Sequence, residues 1–111
     1  MPDRELLGPV ELMALLAVMR LDEEAYGVTI AREISEATGK DVLLGSIYLT
    51  LERLEKKGLL TSWLGEPTAE RGGRAKRYFR VTARGVREAR STQRAFARLT
   101  RGVPQLKGEP A

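Results

Sequence analysis

Two clusters of side chains in this sequence could do chemistry, and in both it would be non-covalent. Arg71-Gly72-Gly73-Arg74-Ala75-Lys76-Arg77 sets four cations around a diglycine. Like charges this close repel one another unless an anion holds them, and two glycines let the backbone approach a phosphate with no Cβ in the way. Ser46, Thr50, Arg53 and Lys57 bring hydroxyls and cations at helical spacing, the groups that hold phosphate oxygens and reach base edges. Covalent and metal chemistry lack their parts. The 111 residues include no cysteine and no histidine, which excludes disulfides, Cys/His zinc sites, cysteine nucleophiles and histidine-based triads. Ser46 has no histidine and no adjacent lysine to activate it. Asp22-Glu23-Glu24 is acidic, but in a polar connection where solvation is the default. No Walker A loop, Rossmann fingerprint or EF-hand loop is present. No enzyme activity, cofactor or metal is expected.

The formal net charge of +4 hides an asymmetry. Residues 1–70 carry 7 basic and 13 acidic side chains, and residues 71–111 carry 12 and 2, so a −6 body is joined to a +10 end. Such polarity points either to a face that meets a polyanion or to a solvated, arginine-rich helix surface. The length suits one domain with a modest core, aliphatic because there are few aromatics. No stretch approaches the ~20 apolar residues of a membrane span. The opening residues do not read as a signal peptide, and the lack of cysteine fits a reducing cytosol. The expectation is a cytoplasmic protein with no membrane partner.

The elements that must position the two clusters follow from periodicity. A first helix is expected over about 8–21, with Pro9 at its first position. Leu12, Leu15, Leu16 and Met19 form its core stripe, and Met13, Ala17 and Val18 face elsewhere, so it needs cover on more than one side. A second helix is expected over 26–37, with Ile30, Ile34 and Ala37 inward and Gly39 as a left-handed stop. The third covers 47–57, with Ser46 as N-cap and Gly58 just past its end. At about 100° per residue, Ile47, Leu51 and Leu54 face the core. Ser46, Thr50, Arg53 and Lys57 then lie roughly 100° away, with Leu49, Glu52 and Lys56 on the same outward side.

Residues 59–64 and 76–82 read as two strands joined by a long loop over 65–75. Phe79 and Val81 are assigned inward by alternation, and Trp63 is read as a packed strand residue. Thr82 caps a fourth helix over 83–100. On its wheel Arg84, Arg87, Arg90, Arg94, Arg98 and Arg101 fall within about 120°, and Val86, Ala89, Phe96, Leu99 and Val103 fall in a separate arc. The stripe is read as paired with acids such as Asp22, Glu23 and Glu24 or as solvated; the alternative is an extended DNA footprint. From Gly102 the chain reads as a frayed tail.

Helix, helix, helix, hairpin, helix, with the hairpin basic, is the winged helix-turn-helix plan: mainly α, with three helices, a two-stranded wing and a C-terminal helix. The third helix fits the major groove and the wing lies along the flanking backbone. Leu49 is either a contact for a thymine methyl or an ordinary surface leucine.

The residues also resemble a family. Tyr26-Gly27, Thr38-Gly39, Gly45-Ser46-Ile47-Tyr48, the run from Leu51 through Gly58-Leu59, Glu70 through Arg80, and Thr82-Ala83-Arg84-Gly85 look like the PadR family of bacterial transcriptional regulators. The match covers about residues 6–86, and the ordered set is specific although each motif alone is weak. The resemblance implies a dimeric repressor that pairs through its C-terminal helix against the partner's N-terminal region, so Leu12, Leu16, Val86, Ala89, Phe96 and Leu99 become the dimerisation set. It implies that Tyr48 contacts a DNA phosphate; packing is the competing role for that ring. It also implies a small-molecule effector, although one aromatic on the last helix, Phe96, argues against an aromatic-stacking drug site.

The sequence therefore leads to a sequence-specific, double-stranded DNA-binding regulator, expected to be a homodimeric repressor of a roughly palindromic operator, released by an effector. Residues 1–82 would bind DNA, 83–102 would dimerise and 103–111 would form a flexible tail. The DNA set is Ser46, Tyr48, Thr50, Arg53, Lys57, Arg71, Gly72, Gly73, Arg74, Lys76 and Arg77. The competing classes are a winged-helix protein–protein adaptor, against which the basic wing argues, and a small-molecule carrier using the dimer interface.

Overall fold

The computed structural model describes residues 5–66 and 75–107. Helix α1 spans Pro9–Leu21. Its first turn is closed by Glu11, whose Oε1 accepts from the Gly8 N–H at 3.1 Å. Its end is abrupt: Asp22 takes φ 55°, and a single 3-10 turn, Asp22–Glu24, follows. Helix α2 spans Gly27–Thr38, with Thr29 Oγ1 accepting from the Tyr26 N–H at 3.0 Å and Gly39 left-handed at φ 72°.

Helix α3 spans Leu44–Lys56 with Leu43 as its N-cap. It begins before the expected Ser46 cap, so Ser46 lies inside its first turn. Leu43 already has extended backbone at ψ 130°, which sets the boundary without a hydroxyl cap. The far end is as anticipated. Leu59 N–H donates to Leu54 O and Gly58 N–H to Glu55 O, both at 3.0 Å, with Gly58 at φ 81°. That pair of bonds is the Schellman arrangement, and it requires the left-handed residue.

Strands β1 (Leu60–Leu64) and β2 (Arg77–Val81) are antiparallel, in a register from Leu60↔Val81 to Leu64↔Arg77. The other edge of β2 is tied to the body: Phe79 N–H donates to Ala25 O at 2.9 Å, and Tyr26 bridges to Tyr78. Phe79 is buried and Val81 half-buried, as alternation predicts. Helix α4 spans Ala83–Thr100, with Thr82 Oγ1 accepting from the Gly85 N–H at 3.0 Å. A 3-10 turn at Pro104–Leu106 follows, where a frayed tail was expected.

The core joins Leu15 and Val18 of α1, Ile30 and Ile34 of α2, Ile47, Leu51 and Leu54 of α3, Leu60 and Phe79 of the hairpin and Ala89 of α4. The buried stripe of α1 is Ala14, Leu15, Ala17 and Val18, whereas Leu16 and Met19 are exposed. Of the expected stripe, Leu15 is buried and Leu12 packs against the core, and only Leu16 and Met19 were misplaced. A helix that is apolar all round carries no phase information, so only its neighbours decide which side is inward. Thr92 of α4 accepts the Leu7 N–H at 3.1 Å, which fixes the start of the chain against the middle of α4.

Candidate nucleic-acid interface

Helix α3 exposes the side opposite its core stripe. Leu49, Glu52, Arg53 and Lys56 are all exposed there, beside Gly45. Thr50 is not with them. It is 5% exposed, a correction to its expected outward position. Thr50 lies only about 60° from Ile47 on the wheel, and α1 covers that flank. Lys57 shares the flank and donates to Glu11 Oε2 of α1 at 2.9 Å. Of the four residues first grouped together, Ser46 and Arg53 are open to solvent, Lys57 is exposed but tethered, and Thr50 is inside. The outward-pointing arc is instead carried by Leu49, Glu52 and Lys56 with Arg53.

Glu11 is the anchor of that tether. Partial burial pushes its carboxyl up, but the hydrogen bonds from Lys57 and from the Gly8 N–H, with the Lys57 and Arg53 charges, outweigh burial and hold it below its ordinary value. In the sequence Glu11 stands out only as the charge that interrupts an apolar segment.

Tyr48 stands at the junction of helix and wing. It is 48% exposed, and its ring lies on Gly27: a Cβ there would be 2.4 Å from Tyr48 Cε1 and 2.6 Å from its hydroxyl oxygen. The ring edge and its hydroxyl are thus seated on Gly27 while about half of the residue stays exposed. The N-terminus of α2, Tyr26, Tyr48, Ala75, Lys76 and Arg77 line an open recess of about 660 Å³. Lys76 Nζ is 4.3 Å from the Tyr26 ring centroid and donates to its hydroxyl at 3.4 Å. A helix N-terminus, two phenol hydroxyls and two cations around one recess suit an anionic oxygen.

Arg77 Nη1 donates to Ser62 Oγ at 3.0 Å, and Ser62 Oγ donates to Glu55 Oε2 at 2.8 Å, so one chain of bonds ties the loop-side half of the hairpin to α3. A second recess, of about 500 Å³, opens between Leu49, Glu52, Tyr48, Arg77 and Phe79. On the opposite sheet face Trp63 stacks on Tyr78 at 6.0 Å, with the Arg80 guanidinium 5.4 Å from the Trp63 ring centroid. Trp63 is thus a strand residue packed on its cross-strand partner, though 41% exposed. Arg71, Gly72, Gly73 and Arg74 lie outside the described residues.

The residues expected to dimerise divide in two. Ala89 is buried, and Leu12 and Val86 are half-buried within the protomer. Leu16, Phe96 and Leu99 are exposed at 40%, 48% and 72%. The first three hold α1 and α4 to the body and the last three leave apolar surface open. Among the described residues, no helix is long and apolar enough to cross a membrane.

The fold is shared with known proteins. The model of the transcriptional regulator PadR-like family matches residues 15–91. Transcriptional regulator Rv3488 of Mycobacterium tuberculosis is 37% identical over 82 residues, covering 74% of this chain and 72% of that protein. A PadR family regulator from Eggerthella lenta superposes with a TM-score of 0.68 at 26% identity, over 88% of this chain and 83% of that one. One from Clostridium difficile superposes with a TM-score of 0.72 at 20% identity, over 91% and 100%.

Proposed function

Because the chain belongs to the PadR-like family of transcriptional regulators, whose members bind DNA, we propose that it is a cytoplasmic, homodimeric repressor of a roughly palindromic operator. The observation that carries the DNA-reading part is the exposed arc of α3 beside the recess of Tyr26, Tyr48, Lys76 and Arg77. In this reading α3 enters the major groove. Leu49, Glu52, Arg53 and Lys56 meet base edges and nearby phosphates, and Tyr48, Lys76 and Arg77 hold the flanking phosphate. Ser46 lies at the groove-facing end of α3, and Arg71, Gly72, Gly73 and Arg74 carry the wing along the backbone.

The dimer part is supported by apolar surface. Phe96 and Leu99 of α4 and Leu6, Val10, Leu16 and Met19 at the N-terminal end are large, apolar and exposed. Residues 83–102 would form the dimerisation helix that follows a DNA-binding unit of residues 1–82, with 103–111 as the tail. A twofold dimer spaces its two α3 helices for half-sites about 34–36 Å apart. Release by a small-molecule effector belongs to the same reading. An open recess of about 270 Å³ between α1 and α2, lined by Met13, Leu16, Ala17 and Ile34 with Arg20 and Glu33 at hand, supports an apolar ligand with a polar end.

Selection of bound genomic fragments followed by sequencing tests the proposal. Enrichment of an inverted repeat, together with a dimer in sedimentation, is expected. Enrichment without any repeat, or a monomer at operator-saturating concentration, overturns it.

A further inference from the structure

The arginine face of α4 has no role in the account so far. Arg84, Arg87, Arg90, Arg94, Arg98 and Arg101 are all exposed. Among the described residues none of them makes an ion pair; the pairs are Arg20 with Glu33 and Lys57 with Glu11. The acidic turn Asp22–Glu24, the intramolecular partner considered from sequence, is exposed and unbridged to them. Cations stacked at spacings of three and four destabilise an isolated helix, and this stripe uses Arg throughout, the residue suited to bidentate contacts with phosphate. Arg87, Arg90, Arg94 and Arg98 converge with Ser91 around an open recess of about 370 Å³.

We propose that this face is a second DNA-backbone surface, extending the footprint onto the duplex that flanks the operator. The inference rests on the DNA-binding reading above. Three observations favour a duplex over a second copy of the chain. The first is length: from Arg84 to Arg101 the stripe runs about 25 Å at the rise of an α-helix. The acidic 3-10 turn spans only about 6 Å, whereas a duplex offers one negative charge per ~1.7 Å without a break. The second is direction. At about 100° per residue the stripe lies opposite the line of Ala89, Thr92, Phe96 and Leu99. Ala89 and Thr92 are buried against the body, so a copy seated on the continuation of that line leaves the arginines facing outward. The third is continuity. A Cβ built on Gly58, at the end of α3, would lie 3.7 Å from Arg84 Nη1, so the stripe begins where the cationic end of the reading helix stops.

The test uses the full chain and the operator recovered by genomic selection, in duplexes of about 24 and about 50 base pairs, the shorter just covering two half-sites. The variant is Arg90→Gln/Arg94→Gln/Arg98→Gln, on the side of α4 away from the core. The wild type is expected to bind the longer duplex at least tenfold more tightly, with a log–log salt slope steeper by about 5, from three arginines on each of two protomers. The variant is expected to bind both lengths alike and to match the wild type on the short one, with an unchanged dimer in sedimentation. A variant that keeps the long-duplex gain overturns the proposal. So does a variant whose dimer dissociates more readily while that gain persists, which would assign the stripe to acids of a second copy. A wild type that binds the short duplex and gains nothing from flanks sinks the stripe alone; one that recovers no duplex sinks the DNA-binding reading with it.

Discussion

Lys57, at the C-terminal end of α3, donates to Glu11 of α1 across 2.9 Å, while the same carboxylate accepts the Gly8 N–H at 3.1 Å. One acid thus closes the first turn of α1 and locks the end of α3 to it. A cation held this way is less available to a phosphate than Lys56, its exposed neighbour. Lys56→Ala is expected to reduce the salt slope of operator binding by about 1.8, the value of one phosphate contact from each of two protomers. Lys57→Ala should reduce it by less than half as much and cost about 0.5 kcal/mol of stability, since the lysine is 45% exposed and solvent screens the pair. Equal slope changes would show that Lys57 leaves Glu11 when DNA binds.

The same carboxylate gives a pH dependence. Glu11 is held below 4.5, its ordinary value, so the folded state binds its proton more weakly than the unfolded state. Its contribution is fully present above that ordinary value and is lost as pH falls through the lower, folded one. Urea titrations of the wild type and Glu11→Gln should differ near neutral pH and converge in that acidic window. A difference that stays constant down to pH ~3 would exclude the linkage.

Gly27 and Tyr48 form another such pair. A side chain at Gly27 must displace the Tyr48 ring, and that ring is the far end of a flexible side chain, so the fold should survive. Gly27→Ala is expected to weaken operator binding about tenfold with little change in urea midpoint. In a Tyr48→Ala background it should do nothing further, because its effect acts through the ring. Additive losses in affinity would contradict this.

Gly85 differs because its neighbours cannot move as easily. A Cβ there would lie 2.3 Å from the Leu59 carbonyl oxygen and 2.6 Å from Val81 Cγ1. Gly85→Ala should force α4 off the start of β1 and destabilise by about 1–3 kcal/mol, read from the urea midpoint.

These contacts mark how far the sequence could be read. Gly39 and Gly58 as left-handed stops, Pro9 at a first helical position, Thr82 as a cap and Phe79 as the inward strand residue were all legible, because each depends on local backbone chemistry. Thr50, Leu16 and Met19 were not. Thr50 lies near the edge of an apolar arc, where 100° arithmetic leaves the decision to whichever element packs alongside, and Leu16 and Met19 belong to a helix apolar all round, which has no arc to read. The Tyr48 seat on Gly27 and the Glu11 tether join residues 21 and 46 positions apart. No periodicity within one helix carries that information.

If α3 enters the major groove as proposed, its corrected face should separate residues that read sequence from residues that only support the helix. Thr50→Val keeps shape at a buried position, so it should leave the selected operator unchanged and shift stability by less than about 1 kcal/mol. Leu49 is 62% exposed and Glu52 is exposed. A leucine can cover a thymine methyl and a glutamate can accept from cytosine N4. Leu49→Ala and Glu52→Gln should each alter the preferred base at one position per half-site, a change of about 1–3 kcal/mol between best and wrong base. Binding-site selection with each variant reads this directly. If Thr50→Val moved the motif and the other two left it intact, the reading arc would lie on the flank of α3 that faces α1.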